Sequence, residues 1–368
     1  MMKKNPIENE ELLRLRVERE LRSRVRRGEL KKGARLPGER QLAGELAVSR
    51  GTLRSALETL ELSGFLHRVP GKGTFIRDDG VTVRNLNIGY IFPEPEISLV
   101  YQSYGNYAIN SEVWRGIMEY CVARGITASF IPAQANAAER VDRALFERIK
   151  RDCSGVILPS REFPGLAALL EREKFPFCHT CPAEGAPHVF YDVEKGVDTA
   201  ARKLLESRCR SVIMLTLARD SSPAGSTWEM KVRGFRREFA RAGFPIPDDH
   251  IIRLPCEERG VLQVLRQVLP EKRPLPDCFF SATPMISFAL LHIAAERHWE
   301  IPKKVQILGY ANDMNMRRTI PELTCVRLPH AAIGRTAADH LANFILNGIP
   351  IPAQTLLEAE LVPGETTR

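Results

Sequence analysis

Arg50, Thr52 and Arg54 occupy one side of a segment whose other side, Leu53, Ala56, Leu57 and Leu60, recurs at i, i+3, i+4 and i+7. That period belongs to a helix with one apolar stripe. Guanidinium and hydroxyl groups in the first turns of such a helix can reach base edges in a DNA major groove, where Arg grips guanine with two hydrogen bonds. Ser49 can cap this helix, and Gly38 holds the corresponding place before Leu42, Ala43 and Leu46, so two short helices meet at a tight turn over Ala47 and Val48. After Gly64, the runs FLHRV, PGKG and TFI read as two short strands around a glycine turn with Lys72 at its tip.

Charge agrees with this chemistry. Residues 1–77 hold 18 Lys and Arg against 10 Asp and Glu, so the whole net charge of +8 falls on them and the rest of the chain is neutral. A basic piece joined to a neutral remainder fits an electrostatic footprint on phosphates. Upstream, Leu13, Val17, Leu21 and Val25 are spaced four apart, which predicts a helix over 9–27 that packs one stripe against the two short helices.

The segment resembles the winged helix-turn-helix of the GntR family. The residues that carry the likeness are Gly33 and Arg35 before LP, Glu39-Arg40, SRGT at 49–52, Arg54-x-Ala56-Leu57, Gly64, and the G-x-G-T-F of Gly71 to Phe75. The resemblance implies phosphate or base contacts from Arg35, Arg40, Ser49, Arg50, Thr52, Arg54, Lys72 and Gly73 of a double-stranded operator. The family usually has Ser where this chain has Gly38, a change that costs a cap only a few tenths of a kcal/mol.

A chain of 368 residues is too long for such a reader alone, and residues 86–368 suffice for one large or two medium domains. A polar linker, RDDGVTVRN, ends at Asn85, so the expected parts are a reader over 1–77, a linker over 78–85 and a second unit over 86–368. No stretch reads as a membrane span or secretory signal, which predicts a cytoplasmic protein. The eight cysteines mostly sit in apolar runs and read as reduced, buried thiols. Cys178-His179-Thr180-Cys181 has no second pair of ligands at finger spacing, so neither a metal nor a cofactor is expected.

From Leu86 onward, apolar runs at 86–92, 126–132, 155–159, 175–180, 211–216, 251–255, 278–282 and 305–310 alternate with amphipathic stretches at 112–124, 139–151, 164–173, 195–207, 229–242, 258–269 and 285–297. Strand, helix, strand with right-handed crossovers gives doubly wound parallel sheets, here too many strands for one lobe. The fold class expected is therefore an α+β winged helix-turn-helix followed by a two-lobed α/β domain. This second part resembles the periplasmic-binding-protein-like effector domain of LacI-type regulators, on Asp192 with Gly196, Gly234-Phe235, Ile301-Pro302, Val305-x-Ile307-x-Gly309-Tyr310, and above all Pro321-Glu322-Leu323-Thr324 to Gly334-Arg335-Thr336-Ala337-Ala338. A GntR-type reader on a LacI-type sensor is the arrangement of arabinose repressors. It implies a ligand-responsive transcription regulator, a homodimer on a pseudo-palindromic operator, lobe crossings near 190, 314 and 350, and a small-molecule effector in the cleft at the strands' carboxyl ends.

Around that cleft the resemblance places Tyr104, Tyr107, Arg161, Thr180, Asp192, Trp228, Lys231, Thr283 and Asn312. An indole face can stack on a sugar ring, and the ammonium three residues later can take an anionic group. Yet four polar positions depart from the family pattern: Cys181 stands for Asp, Lys231 for Arg, Thr283-Pro284 for Asn-Asp, and Ala311-Asn312 for an Asp pair. The reading that follows is a modified or anionic saccharide. The alternative is an effector-like domain that binds no small molecule and serves dimerisation or partner docking. An enzyme is not expected, because the chain has no G-x-S-x-G, H-E-x-x-H or G-x-x-x-x-G-K-[ST].

Overall fold

The structure, a computed structural model, describes residues 6–31, 33–62, 65–69, 71–76, 86–93, 104–133, 143–159, 163–218, 227–255, 258–269, 274–312 and 318–368. Val17 and Leu21 of α1 (Pro6–Arg26) close over Leu42 and Ala43 of α2 (Glu39–Glu45) and over Leu53, Ala56, Leu57 and Leu60 of α3 (Arg50–Leu62). Gly38 gives α2 an extended entry without a side-chain cap, whereas the Ser49 hydroxyl accepts the Thr52 N–H at 3.0 Å and caps α3. Between them Ala47 takes a left-handed φ of 50°, which closes the turn within one residue. The wing is β1 (Leu66–Val69) paired antiparallel with β2 (Gly73–Ile76). Gly71 and Gly73 supply the positive φ of its turn, and Leu66 and Ile76 seal the same small core.

Two six-stranded sheets follow. The first lobe orders its strands β13-β7-β6-β5-β3-β4, all parallel, with β3 Asn87–Pro93, β4 Thr127–Ala133, β5 Gly155–Leu158, β6 Phe177–His179, β7 His188–Tyr191 and β13 Gln354–Leu357. The second orders β14-β12-β11-β10-β8-β9, with β8 Val212–Leu217, β9 Ile251–Leu254, β10 Cys278–Ser281, β11 Gln306–Asn312, β12 Thr324–Leu328 and β14 Glu360–Val362, and only β14 runs antiparallel. Strands such as GVIL of β5 and QILGYAN of β11 are buried along their whole length, because helices cover both faces.

Helices α5 (Arg143–Asp152) and α6 (Pro164–Arg172) cover the outer face of the first sheet, and α9 (Glu258–Val268) and α10 (Pro284–Glu296) that of the second. The inner faces share one core with α4 (Tyr104–Arg124), α7 (Val193–Glu206), α8 (Thr227–Arg241) and α11 (His330–Asn347). Helices α4 and α11 interlock through glycine: a Cβ on Gly116 would overlap the Ala331 carbonyl, and one on Gly334 the Val113 carbonyl.

The chain passes from the first sheet to the second after Tyr191, returns between Leu328 and His330, and passes over again between Leu357 and Glu360. The last two passages fall later than the expected 314 and 350. The reason is that β12 belongs to the second sheet and the whole of α11 must be laid down before β13. A second correction concerns the helix expected over 112–124, which begins earlier, so that Tyr104 and Tyr107 open α4. The linker expected over 78–85 lies outside the described residues.

Candidate nucleic-acid interface and inter-lobe cleft

On the reader, Arg50 and Arg54 of α3, Arg40 of α2, Arg35 and the wing-tip Lys72 are all exposed, together with Ser49. Arg54 is pre-oriented, since its Nε donates to Glu39 Oε2 at 2.8 Å. Arg35 bridges to Phe75 in the wing, and its guanidinium packs so closely on Gly73 that a Cβ there would come within 2.7 Å of Nε. What requires glycine at this position is its φ of +115°. Thr52 departs from expectation: it is 3 % exposed and its hydroxyl shares a 2.8 Å hydrogen bond with Ser49. The cap consumes it, and no base can reach it without opening the helix start.

In the cleft, a cluster forms around Lys231 on α8. Its ammonium, 2 % exposed, donates to the Ala282 carbonyl at 2.8 Å and lies 3.5 Å from the centre of the Tyr310 ring and 5.9 Å from that of Tyr191. Tyr191 ends β7 in the first sheet, while Ala282 directly follows β10 and Tyr310 lies in β11 of the second, so this cation sits where the lobes meet. Burial alone pulls Lys231 down to about 7. His330, the first residue of α11, is pulled to about 3, by burial first and then by the charge of Lys231. Two buried bases share this junction, and burial holds the Tyr310 phenol well above its ordinary range.

The other expected ligand residues divide into three groups. Asn312 is buried at the end of β11, and Trp228 is half-buried on α8, packed against both the shared inner core and the outer core of the second sheet. Thr180, Asp192 and Thr283 carry local duties: Thr180 Oγ1 donates toward the carbonyls of Leu158 and Pro159, Asp192 accepts the Lys195 N–H as the cap of α7, and Thr283 accepts the Ile286 N–H as the cap of α10. Tyr104 and Tyr107 are placed by the backbone in the first turn of α4, and Arg161 lies outside the described residues. Sequence reasoning passed over His330, Tyr310, Asn110, Glu112 and Thr216, all buried polar groups. Asn110 takes the Tyr90 hydroxyl at 2.9 Å, which fixes the start of α4 over the first sheet. Their visible signal was a polar residue inside an apolar run, as with Thr216 in VIMLTL.

The seven described cysteines are free thiols, buried except Cys181. Burial pushes Cys178 up to about 12, which suits packing in β6 and not nucleophilic or metal chemistry. Among the described residues no group of three His, Cys, Asp or Glu could hold a metal ion, and no helix is long and apolar enough to cross a membrane.

The architecture is an N-terminal helix-turn-helix domain with a C-terminal two-lobed, periplasmic-binding-protein-like α/β domain. Residues 13–76 match the family model of bacterial regulatory proteins, gntR family, and residues 201–367 that of a periplasmic binding protein-like domain. The chain is similar to the arabinose metabolism transcriptional repressor of Geobacillus stearothermophilus, 23% identical over 358 residues that cover 90% of each chain. Among solved structures it is similar to a regulatory protein of LacI family from Chloroflexus aggregans, with TM-score 0.62 and 20% identity over 77% of this chain and 98% of that one. It is also similar to the transcriptional regulator CelR in complex with cellobiose, with TM-score 0.61 and 18% identity over 90% and 100%.

Proposed function

We propose that this chain is a ligand-responsive transcriptional repressor, a GntR-type reader fused to a LacI-type sensor. It acts in the cytoplasm, without catalysis of its own, as a homodimer on a pseudo-palindromic operator that it releases when a small molecule fills the cleft. The observation that carries the reading is a winged helix-turn-helix with an exposed basic recognition face, held on a two-lobed domain, in a chain similar over 90% of its length to an arabinose metabolism transcriptional repressor. Arg35, Arg40, Ser49, Arg50, Arg54, Lys72 and the backbone of Gly73 make the DNA contacts. Trp228, Lys231 and Asn312, with Tyr104, Tyr107 and Arg161, hold the effector. Lys231 is a buried cation whose hydrogen bond goes to a neutral carbonyl, an environment that favours a ligand bearing a negative charge, such as a uronate or sugar phosphate, over a plain pentose or hexose.

Two measurements test this. Selection from randomised duplexes should return a two-fold symmetric site bound at nanomolar concentration in moderate salt. Thermal melts with neutral sugars, uronates and sugar phosphates should then show stabilisation by an acidic member, about 2.7 kcal/mol at 100 times its dissociation constant, which Lys231→Met abolishes. The local duties of Thr180, Asp192 and Thr283 favour one competing reading, a domain that docks a protein partner. A panel without any stabilising compound would put that reading first.

A further inference from the structure

Helix α11 ends without a basic residue of its own in the last turn, although the final carbonyls of a helix carry partial negative charge and have no partner within it. The partner comes from the reader. Arg22 of α1 donates from Nη1 to the Leu346 carbonyl at 2.9 Å and to that of Ile345 at 3.4 Å. Its guanidinium is 4 % exposed and stacks 4.7 Å over Phe65 at the start of the wing. Gly348, at φ +65°, caps the helix, and a Cβ there would come within 3.1 Å of Arg22 Nε and 3.3 Å of Glu18 Oε2. The missing side chain lets α1 sit directly on the helix end. Glu18, also buried, is held by Arg14 at 2.7 Å. Beside the Arg22 contact lies a groove of about 700 Å³, bordered by Arg16, Arg19, Asn347 and Ile349. Open space beside a buried polar contact leaves the reader room to turn about it.

The other end of α11 is His330, in the Lys231 junction between the lobes. Eighteen helical residues span about 27 Å, so one rigid element runs from the cleft to the reader. We infer that Arg22 is a positioning residue: it fixes the reader on the end of α11, and α11 carries the lobe arrangement to the distance and tilt of the recognition helix. This rests on the reading of the chain as a dimeric operator binder, and adds to it what sets the spacing between half-sites.

The test uses the full chain and its selected duplex, with spacers changed by about 2 base pairs in either direction from a parent spacing of one helical turn or a multiple. Gel-shift titration of the wild type should find one favoured spacing and lose at least about tenfold in affinity, 1.4 kcal/mol, on the others. Arg22→Met, which keeps an apolar stem but has no guanidinium to bond the carbonyls or stack on Phe65, should flatten that preference while binding an isolated half-site as the wild type does. Arg22→Lys should restore it in part. A reader damaged by the substitution would instead lose half-site binding, and Arg22→Gln then supplies the second variant. A wild type indifferent to spacing, or an Arg22→Met and Arg22→Gln profile that matches the wild type, overturns the inference and leaves the repressor reading intact. Failure to select any duplex overturns both.

Discussion

At the scale of single residues, the reader and the cleft ask opposite things of their cations. Arg50 and Arg54 are exposed on the first turns of α3, so Arg50→Ala or Arg54→Ala should weaken the selected site by about 1–3 kcal/mol and relax the base preference at one position. Glu39 holds Arg54 at 2.8 Å, and Glu39→Ala should weaken that preference as well by releasing the guanidinium from its oriented pose. On the proposed reading Lys72 at the wing tip contacts phosphate, so Lys72→Ala should weaken every sequence alike and lower the salt slope by about 1. Lys231 is instead held at about 7 by burial. Because the unfolded chain keeps that proton up to the ordinary lysine range, the unfolded state binds more protons above pH 7, and stability gains from this group as pH rises from about 7 toward 10.5. His330, at about 3 against 6.5, gives the same sign lower down: its contribution is present above 6.5 and lost as pH falls toward 3. Urea midpoints across pH should therefore show Lys231→Met losing the alkaline gain and His330→Gln the acid loss, each as a difference from wild type. Identical curves for Lys231→Met and wild type would mean that the ammonium is solvated. The groups that face Lys231, namely Tyr191, Tyr310 and His330, carry no acid charge in this range.

At the scale of elements, α4 and α11 are locked together over the first sheet, because Gly116 and Gly334 let the two backbones touch. Gly334→Ala should force the helices apart and cost about 1–3 kcal/mol or more, against the roughly 0.5–1 kcal/mol that the same change would gain in an exposed helix. A melting temperature equal to that of the wild type would show the helices free to separate. The strands with long apolar runs, such as those from Val212 to Leu217 and from Cys278 to Ser281, were legible because burial on both faces writes itself as continuous hydrophobicity. The four strands β7, β12, β13 and β14 were not. HVFY and ELV are short, TCVRL carries an Arg, and QTLL alternates as an edge strand does. Helix α11 hid for a different reason: its buried side is Ala337, Ala338 and Ala342 as much as Leu341 and Ile345, so close packing replaced the usual leucine stripe. The first turns of α4, YGNYAINS, contain poor helix formers that tertiary contacts such as Tyr90 to Asn110 hold in place. In the cleft the difficulty is chemical. A polar residue after a strand is what a ligand needs and what a helix cap needs, and Asp192 and Thr283 turned out to be caps. Neither Tyr310 beneath Lys231 nor His330 beside it was legible, since only the pairing of two sheets brings them together.

At the scale of the whole molecule, charge and size argue for two copies acting together. All of the net charge of +8 lies on the reader, and residues 78–368 contribute none. One reader with a handful of phosphate contacts binds DNA weakly and loses affinity steeply with salt, whereas two readers held at half-sites one helical turn or a multiple apart approach the affinity of a specific regulator. In the proposed dimer the surface that pairs the copies lies outside the reader, where net charge does not oppose close approach. The reader meets the lobes at the Arg22 joint, and each part has its own core, so removing residues 1–77 should leave the lobes folded. The truncated chain should therefore remain a dimer at micromolar concentration by light scattering, with only the end of α11 newly exposed. Full-length protein should give twice the mass of the sequence, near 83 kDa from 41.4 kDa per chain. A truncated chain that scatters as a monomer while the intact chain dimerises would move the interface into the reader, and with it the origin of operator symmetry.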